Sequence, residues 1–138
     1  MKTYLDTNIL IAAFQDKDEE IVKTISDIQN DSDREFIGSD FLYLELLPKP
    51  TFQKRQPEVQ FMQEFLDETE NVTISDKITQ KAIELAGRYD LQPMDALHIS
   101  AAIYAKVEEF ITLEKPDKPM CKIPEDEIGL KVYSLRKS

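Results

Sequence analysis

The first fourteen residues, MKTYLDTNILIAAF, constrain this chain more than any other stretch. Thr3-Tyr4-Leu5 is a β-prone apolar run, and Ile9 to Phe14 is compatible with helix. A strand therefore turns into a helix around one acid, Asp6. A carboxylate with core-forming residues on both sides is partly desolvated, and leaving it unpaired costs several kcal/mol. Asp6 demands a partner, for which a cation is the natural candidate, and the fold is expected to bring further acids to it.

The rest of the chain alternates. Residues 2–6 read as a short buried parallel strand, with Asn8 as the N-cap of a helix that begins at Ile9. Ile21, Val22, Ile25 and Ile28 recur at helical spacing within 17–30, and Asn-Asp-Ser-Asp at 30–33 is a turn. Residues 35–38 supply a second strand, after which Ser39 or Asp40 caps a helix over 41–47 that Pro48 and Pro50 stop. Stretch 48–57 carries three prolines and Lys49, Lys54 and Arg55 without an acid, and reads as a solvated loop. Helices are predicted over 58–68, over 76–89 with Ile78, Ala82, Ile83, Leu85 and Ala86 inward, and over 93–106, opened by Pro93. Strands are predicted over 72–74, 110–112 and 130–135. Such alternation implies an α/β fold, a parallel sheet with helices on both faces. With three glycines and no Gly-rich loop, phosphate-cradling and dinucleotide fingerprints are excluded.

Composition narrows the setting. A chain of 138 residues suits one domain over 1–138. The lone Cys121 excludes an internal disulfide, reads as inert, and fits a reducing, cytoplasmic compartment. No apolar run reaches the ~18–20 residues of a membrane span, and Asp6 and Asn8 interrupt the one stretch that resembles a signal segment. The expected protein is soluble, with no membrane partner. A net charge of −10 argues at first against nucleic acid, because phosphate contacts need lysine and arginine. However, residues 16–35 hold eight acids against three basic residues, half of that net charge, on one expected solvent-facing helix. Further acids are set inside the candidate site, so a nucleic-acid substrate is not excluded. The acidic helix suits a protein partner with a basic segment.

In a parallel sheet all strands end on one edge, where ligand sites form. Asp6 ends the first strand, and Glu45 lies one to two turns into the helix after the second. Asp95 falls in the first turn of the helix before the fourth strand, and Glu114 lies just beyond that strand, after Thr112. Two bare carboxylates about 4 Å apart repel by roughly 4 kcal/mol at an effective dielectric of about 20, so such a group needs cations. Oxygen donors without a His or Cys cluster favour Mg²⁺ or Mn²⁺ over Zn²⁺. These ions cleave phosphodiesters by activating a water. His98, one turn beyond Asp95, is within reach of the site as a minor catalytic candidate. Plainer roles stand beside each reading: Asp95 as a complement to the helix dipole, Glu45 on an exposed stripe, Asn8 and Ser39 as caps, and His98 packed in the core.

Taken together, YLDTNIL, the acid of FLYLELL, and PMDALHISAA resemble the PIN-domain family, most nearly its VapC-type toxin ribonucleases, over essentially the whole chain. The resemblance implies a three-layer α/β/α sandwich with a central five-stranded parallel sheet. It implies Mg²⁺- or Mn²⁺-dependent cleavage of RNA, a homodimer, and an antitoxin protein that inserts a segment into the site. Carried over by position, it makes Asp6, Glu45 and Asp95 the catalytic, metal-holding acids, with Asn8 and Thr112 ordering them. The chain departs from the family after its fourth strand, where Thr-x-Asp is usual and Thr112-Leu113-Glu114-Lys115-Pro116-Asp117 stands instead. Glu114, or Asp117 in its place, is then the fourth acid. Lys49, Lys54 and Arg55 are the candidate contacts to RNA phosphate.

Three functions are thus in play. The first is a metal-dependent endoribonuclease, the toxin of a type II toxin–antitoxin pair. The second is a catalytically weak or inactive PIN-like module that binds RNA or a basic protein. The third, phosphoryl transfer through an aspartyl phosphate on Asp6, lacks a second aspartate at position 8 and a paired-acid site late in the chain.

Overall fold

Thr3, Tyr4 and Leu5 are all buried, so the first strand, β1 (Lys2–Leu5), has no solvent face and no polar alternation. In the computed structural model, which describes residues 1–137, β1 is the middle of a five-stranded sheet. The others are β2 (Glu35–Ser39), β3 (Glu70–Val72), β4 (Glu109–Thr112) and β5 (Lys131–Ser134), in the order β3-β2-β1-β4-β5. Every pairing is parallel, with Tyr4 opposite Ile37 on one side and Phe110 on the other.

Parallel neighbours need crossovers, which are helical here. Helices α1 (Thr7–Gln15) and α2 (Glu19–Gln29) connect β1 to β2. Next come α3 (Asp40–Leu46), α4 (Pro48–Phe52) and α5 (Gln56–Glu68), then β3, then α6 (Asp76–Tyr89) and α7 (Pro93–Tyr104). A 3₁₀ turn (Pro119–Lys122) and α8 (Glu125–Ile128) precede β5. Side chains alternate across the sheet. Tyr4 stacks on Phe110 and meets His98 of α7 on one face, while Phe36 of β2 meets Phe65 of α5 on the other. This is the three-layer α/β/α sandwich with a five-stranded parallel sheet that the sequence implied. From β1 the chain builds outward to β3, then returns to place β4 on β1's free side. The switch between β1 and β4 is where a site forms in such sheets.

Several local expectations are corrected. Asp6, not Asn8, caps α1, because its carboxylate accepts the Thr7 N–H and the helix begins two residues early. Pro48 does not end helical structure: it occupies the first position of α4, where its missing N–H costs nothing. The third strand lies at Glu70–Val72 rather than 72–74, where Ile37, Gly38 and Ser39 of β2 pair with it. After it, Asp40 accepts from the Asn71 side chain and the Ile74 N–H, which bends the chain away. Ile83, expected inward, is 69% exposed on α6. The acids of 16–35 are divided between α2, the loops at its two ends and, for Glu35, the start of β2. None of the helices is long and apolar enough to cross a membrane among the described residues.

At the end of the sheet opposite the switch-point edge, Glu109 is buried and takes hydrogen bonds from Thr3 Oγ1 at 2.7 Å, Arg34 Nε at 2.7 Å and Tyr133 OH at 3.2 Å. Burial alone would raise its pKa, but the Thr3 and Arg34 hydrogen bonds hold it below the ordinary glutamate value. These contacts join β1, β4, β5 and the turn before β2. Arg34→Ala leaves a buried carboxylate short of its cation and should lower stability by about 2 kcal/mol at pH 7 in urea unfolding. A depressed carboxylate stabilises above its unfolded pKa and stops doing so as pH falls through its folded value. The gap between the two proteins should therefore narrow as pH falls below the ordinary glutamate range.

Candidate active site

Asp6 leaves β1 at the switch point and is 5% exposed. Among the described residues no cation forms an ion pair with it; neutral donors hold it instead. Thr7 N–H donates to Oδ1 at 2.8 Å and the buried Thr112 hydroxyl donates to Oδ2 at 2.7 Å. Burial pushes the Asp6 carboxyl above its ordinary value, with these two bonds opposing the shift. Asn8, freed from capping, turns toward the end of β4. Its Nδ2 donates to Thr112 Oγ1 at 3.3 Å and its Oδ1 accepts Leu113 N–H at 3.0 Å. Thr112 Oγ1 also accepts Glu114 N–H at 3.0 Å. Asn8 therefore acts on Asp6 through Thr112 and does not touch it.

Glu45 reaches the same edge from α3. Its Oε1 accepts the Thr7 hydroxyl at 2.7 Å and also meets His98 Nε2 of α7 in a very short contact. The His98 hydrogen bond holds the Glu45 carboxyl below its ordinary value. His98 is buried, and its Nδ1 lies 2.6 Å from Tyr4 OH, which in turn lies 2.6 Å from Ser39 Oγ. Burial pushes the Tyr4 phenol far above its usual range, so it stays protonated. Ser39 sits at the N-cap position of α3 but makes no capping bond, contrary to its sequence reading.

Asp95, in the first turn of α7, is half-buried, and its carboxyl is pushed up to about 6. Burial contributes most, followed by the charges of Asp6, Glu114 and Glu45. Asp95 and Glu114 line one cavity of about 150 Å³ with Gln92, Lys118 and Met120, to which Asp117 does not contribute. Cys121 is pushed up to about 11 by burial and by the charges of Glu114, Asp6 and Asp95. A thiol so disfavoured as thiolate is a poor nucleophile. Beyond Glu45, a groove of about 260 Å³ is lined by Lys49, Arg55, Phe14 and Met62. Arg55 pairs with Glu58 at 3.4 Å. Lys54, in the turn after α4, does not line this groove.

Asp6, Glu45, Asp95 and Glu114 are thus gathered on one edge, close enough for their charges to shift Asp95. Among the described residues no three Asp, Glu, His or Cys side chains stand as a ready metal cage; Glu45 is turned onto His98 and Thr7. The chemistry of the donors nonetheless fits a hard divalent cation, being four carboxylates gathered on one edge with no thiolate among them. The polar chain of Ser39, Tyr4 and His98 was not legible as a unit in the sequence. Periodicity could have flagged it: Tyr4 lies two residues before Asp6 on a strand, and His98 three after Asp95 on a helix, spacings that share a face.

A family model described as "PIN domain" matches residues 3–115. Among solved structures, the chain is similar to VapBC2 from Rickettsia felis bound to a DNA fragment from their promoter. The TM-score is 0.72 at 20% identity, over 99% of this chain and 100% of that one. It is also similar to a toxin–antitoxin complex from Klebsiella pneumoniae, with TM-score 0.67 and 23% identity over 88% and 92% of the two chains. DNA-bound VapBC from Salmonella typhimurium gives TM-score 0.70 and 16% identity over 97% and 98%. At these identities the likeness is one of fold. No protein of curated function matches the sequence.

Burial and crowding of acids have a measurable cost in the metal-free protein. With its pKa raised from 3.8 to about 6, Asp95 binds a proton more tightly folded than unfolded. Its contribution to stability therefore falls as pH rises from about 4 to 6 and stays unfavourable above that. A two-unit shift corresponds to roughly 3 kcal/mol, reduced to about 1–2 kcal/mol by solvent screening of a half-exposed group. Asp95→Asn should stabilise the metal-free chain by that amount at pH 7.5 and leave it unchanged near pH 3.5, as read by denaturant unfolding.

Proposed function

The chain belongs to the PIN-domain family, and on that premise we propose that it is a metal-dependent endoribonuclease, the toxin of a type II toxin–antitoxin pair. The observation that carries the proposal is the gathering of four acids at the β1–β4 switch point, with Asp95 raised by burial and by the charges of Asp6, Glu114 and Glu45. Mg²⁺ or Mn²⁺ would be held by Asp6, Asp95 and Glu45, with Glu114 in support, and supplies water activation and charge stabilisation at a scissile phosphate. Thr112 and the Thr7 N–H hold both oxygens of Asp6 so that it does not rotate. Asn8 fixes Thr112. Lys49 and Arg55 border the groove beside Glu45 and offer positive charge to the RNA backbone there, with Lys54 nearby in sequence. The partner would be an antitoxin with a basic segment, drawn by the acidic stretch around α2. A cytoplasmic homodimer spanning the single domain 1–138 completes the reading.

A second reading, a PIN-like module that binds RNA or a basic protein without cutting, is favoured by glutamate standing at the fourth acid position. Calorimetry separates the two: the nuclease binds Mn²⁺ at millimolar concentration, whereas the module binds only a basic peptide or RNA.

Asp6→Asn and Asp95→Asn should each reduce Mn²⁺-dependent cleavage of RNA to the level the wild type shows in EDTA, with circular dichroism unchanged. Activity that is equal in wild type, mutant and EDTA refutes the nuclease. Separately, Lys49→Ala and Arg55→Ala should raise KM with little change in kcat. Each should also reduce the slope of log affinity for RNA against log salt by about one.

A further inference from the structure

Glu45 is the only one of the four acids with an imidazole against it, and that imidazole is held by groups with little freedom of their own. His98 is buried, wedged edge-on against Tyr4 and Phe41 with ring centroids 5.6 and 6.2 Å away. Ser39 is wholly buried, and Tyr4 OH is the only partner of its hydroxyl among the described residues. A buried hydroxyl proton with no acceptor is costly, so Ser39 donates to Tyr4. The single Tyr4 proton is then directed to His98 Nδ1. With Nδ1 an acceptor, the ring carries its proton on Nε2, which donates to Glu45 Oε1. Thr7 donates to the same oxygen. Both bonds fall on Oε1, and Oε2 is left to take another ligand.

We infer that Ser39, Tyr4 and His98 form a one-directional hydrogen-bond chain that locks the His98 tautomer and fixes Glu45 by one oxygen so that it presents the other to the site. Tyr4 and His98 are positioning residues that act through Glu45 and touch neither substrate nor scissile bond. The inference deepens the proposed function and rests on it where Glu45 is taken to hold metal. The direction of the hydrogen-bond chain itself does not depend on that role. Partners that orient a ligand and fix its ring tautomer commonly change metal affinity by 10- to 100-fold when removed.

The chain has one histidine, so ring-¹⁵N nuclear magnetic resonance of the metal-free protein reports His98 without assignment. Wild type at neutral pH should show the Nε2–H tautomer alone. Tyr4→Phe should give mixed tautomers and bind Mn²⁺ about tenfold more weakly in calorimetry. Tyr4→Phe/Ser39→Ala, which removes the stranded Ser39 hydroxyl, should behave likewise if the single variant folds poorly. His98→Gln, whose amide keeps a donor toward Glu45, should bind Mn²⁺ more tightly than His98→Ala. A proton on Nδ1 in the wild type overturns the inference, as does unchanged Mn²⁺ affinity in the Tyr4 variants. If wild type binds no Mn²⁺ and cleaves no RNA, the proposed function fails, and the ring signals alone decide the hydrogen-bond chain.

Discussion

The hydrogen bond from Thr112 to Asp6 is the contact on which the rest of the edge depends. It joins the last residue of β4 to the first residue beyond β1, two positions 106 residues apart in the chain. It works because a parallel sheet lays the two strand ends side by side, in register from Thr3–Glu109 to Leu5–Ile111. The carboxylate it secures is nearly buried and would otherwise keep only the Thr7 N–H as a hydrogen-bond partner. The same hydroxyl accepts from Asn8 and from Glu114 N–H, so one threonine sets the geometry of α1's first turn and of the loop that carries the fourth acid.

Around that contact the edge is electrostatically divided. Asp6 is raised above its ordinary value by burial and the charge of Glu45, and Asp95 by burial and the charges of Asp6, Glu114 and Glu45, whereas Glu45 is lowered by His98. Charges of one sign gathered in a poorly solvated place destabilise the fold locally and are best relieved by a cation. The opposite end of the sheet shows the other solution: Glu109, also buried, is satisfied by an arginine, a threonine and a tyrosine from the protein itself. One end of the sheet is internally neutralised and the other is left in need. That contrast separates a structural acid from acids available to a ligand.

Much of this was legible in the sequence, and the reasons are specific. The run Thr3-Tyr4-Leu5 reads as a doubly covered strand, and the spacing of apolar residues over 76–89 as a helix. Alternation of such segments left a parallel sheet as the consistent arrangement. Asp6 stood out because no core segment tolerates a lone carboxylate without a purpose. Errors fell where tertiary contacts overrule local preference. Asn8 and Asp6 are equally good caps by residue type, but the Thr112 hydroxyl and Leu113 N–H claim the Asn8 side chain, and Asp6 takes the cap. Ile83 fits an inward stripe by periodicity, yet that stripe is wider than the face α7 covers on α6.

The sequence by itself determined the α/β class, the parallel sheet and the identity of the acids that could share an edge, because periodicity and strand polarity are local properties that each segment carries with it. It could not say what each acid touches. Whether Asp6 meets a cation or a threonine, whether His98 is inert packing or the holder of Glu45, and which of Glu114 and Asp117 lines the cavity beside Asp95 depend on side chains from different crossovers meeting within about 3 Å. Those meetings are set by sheet register and helix docking, and only the tertiary structure decides them.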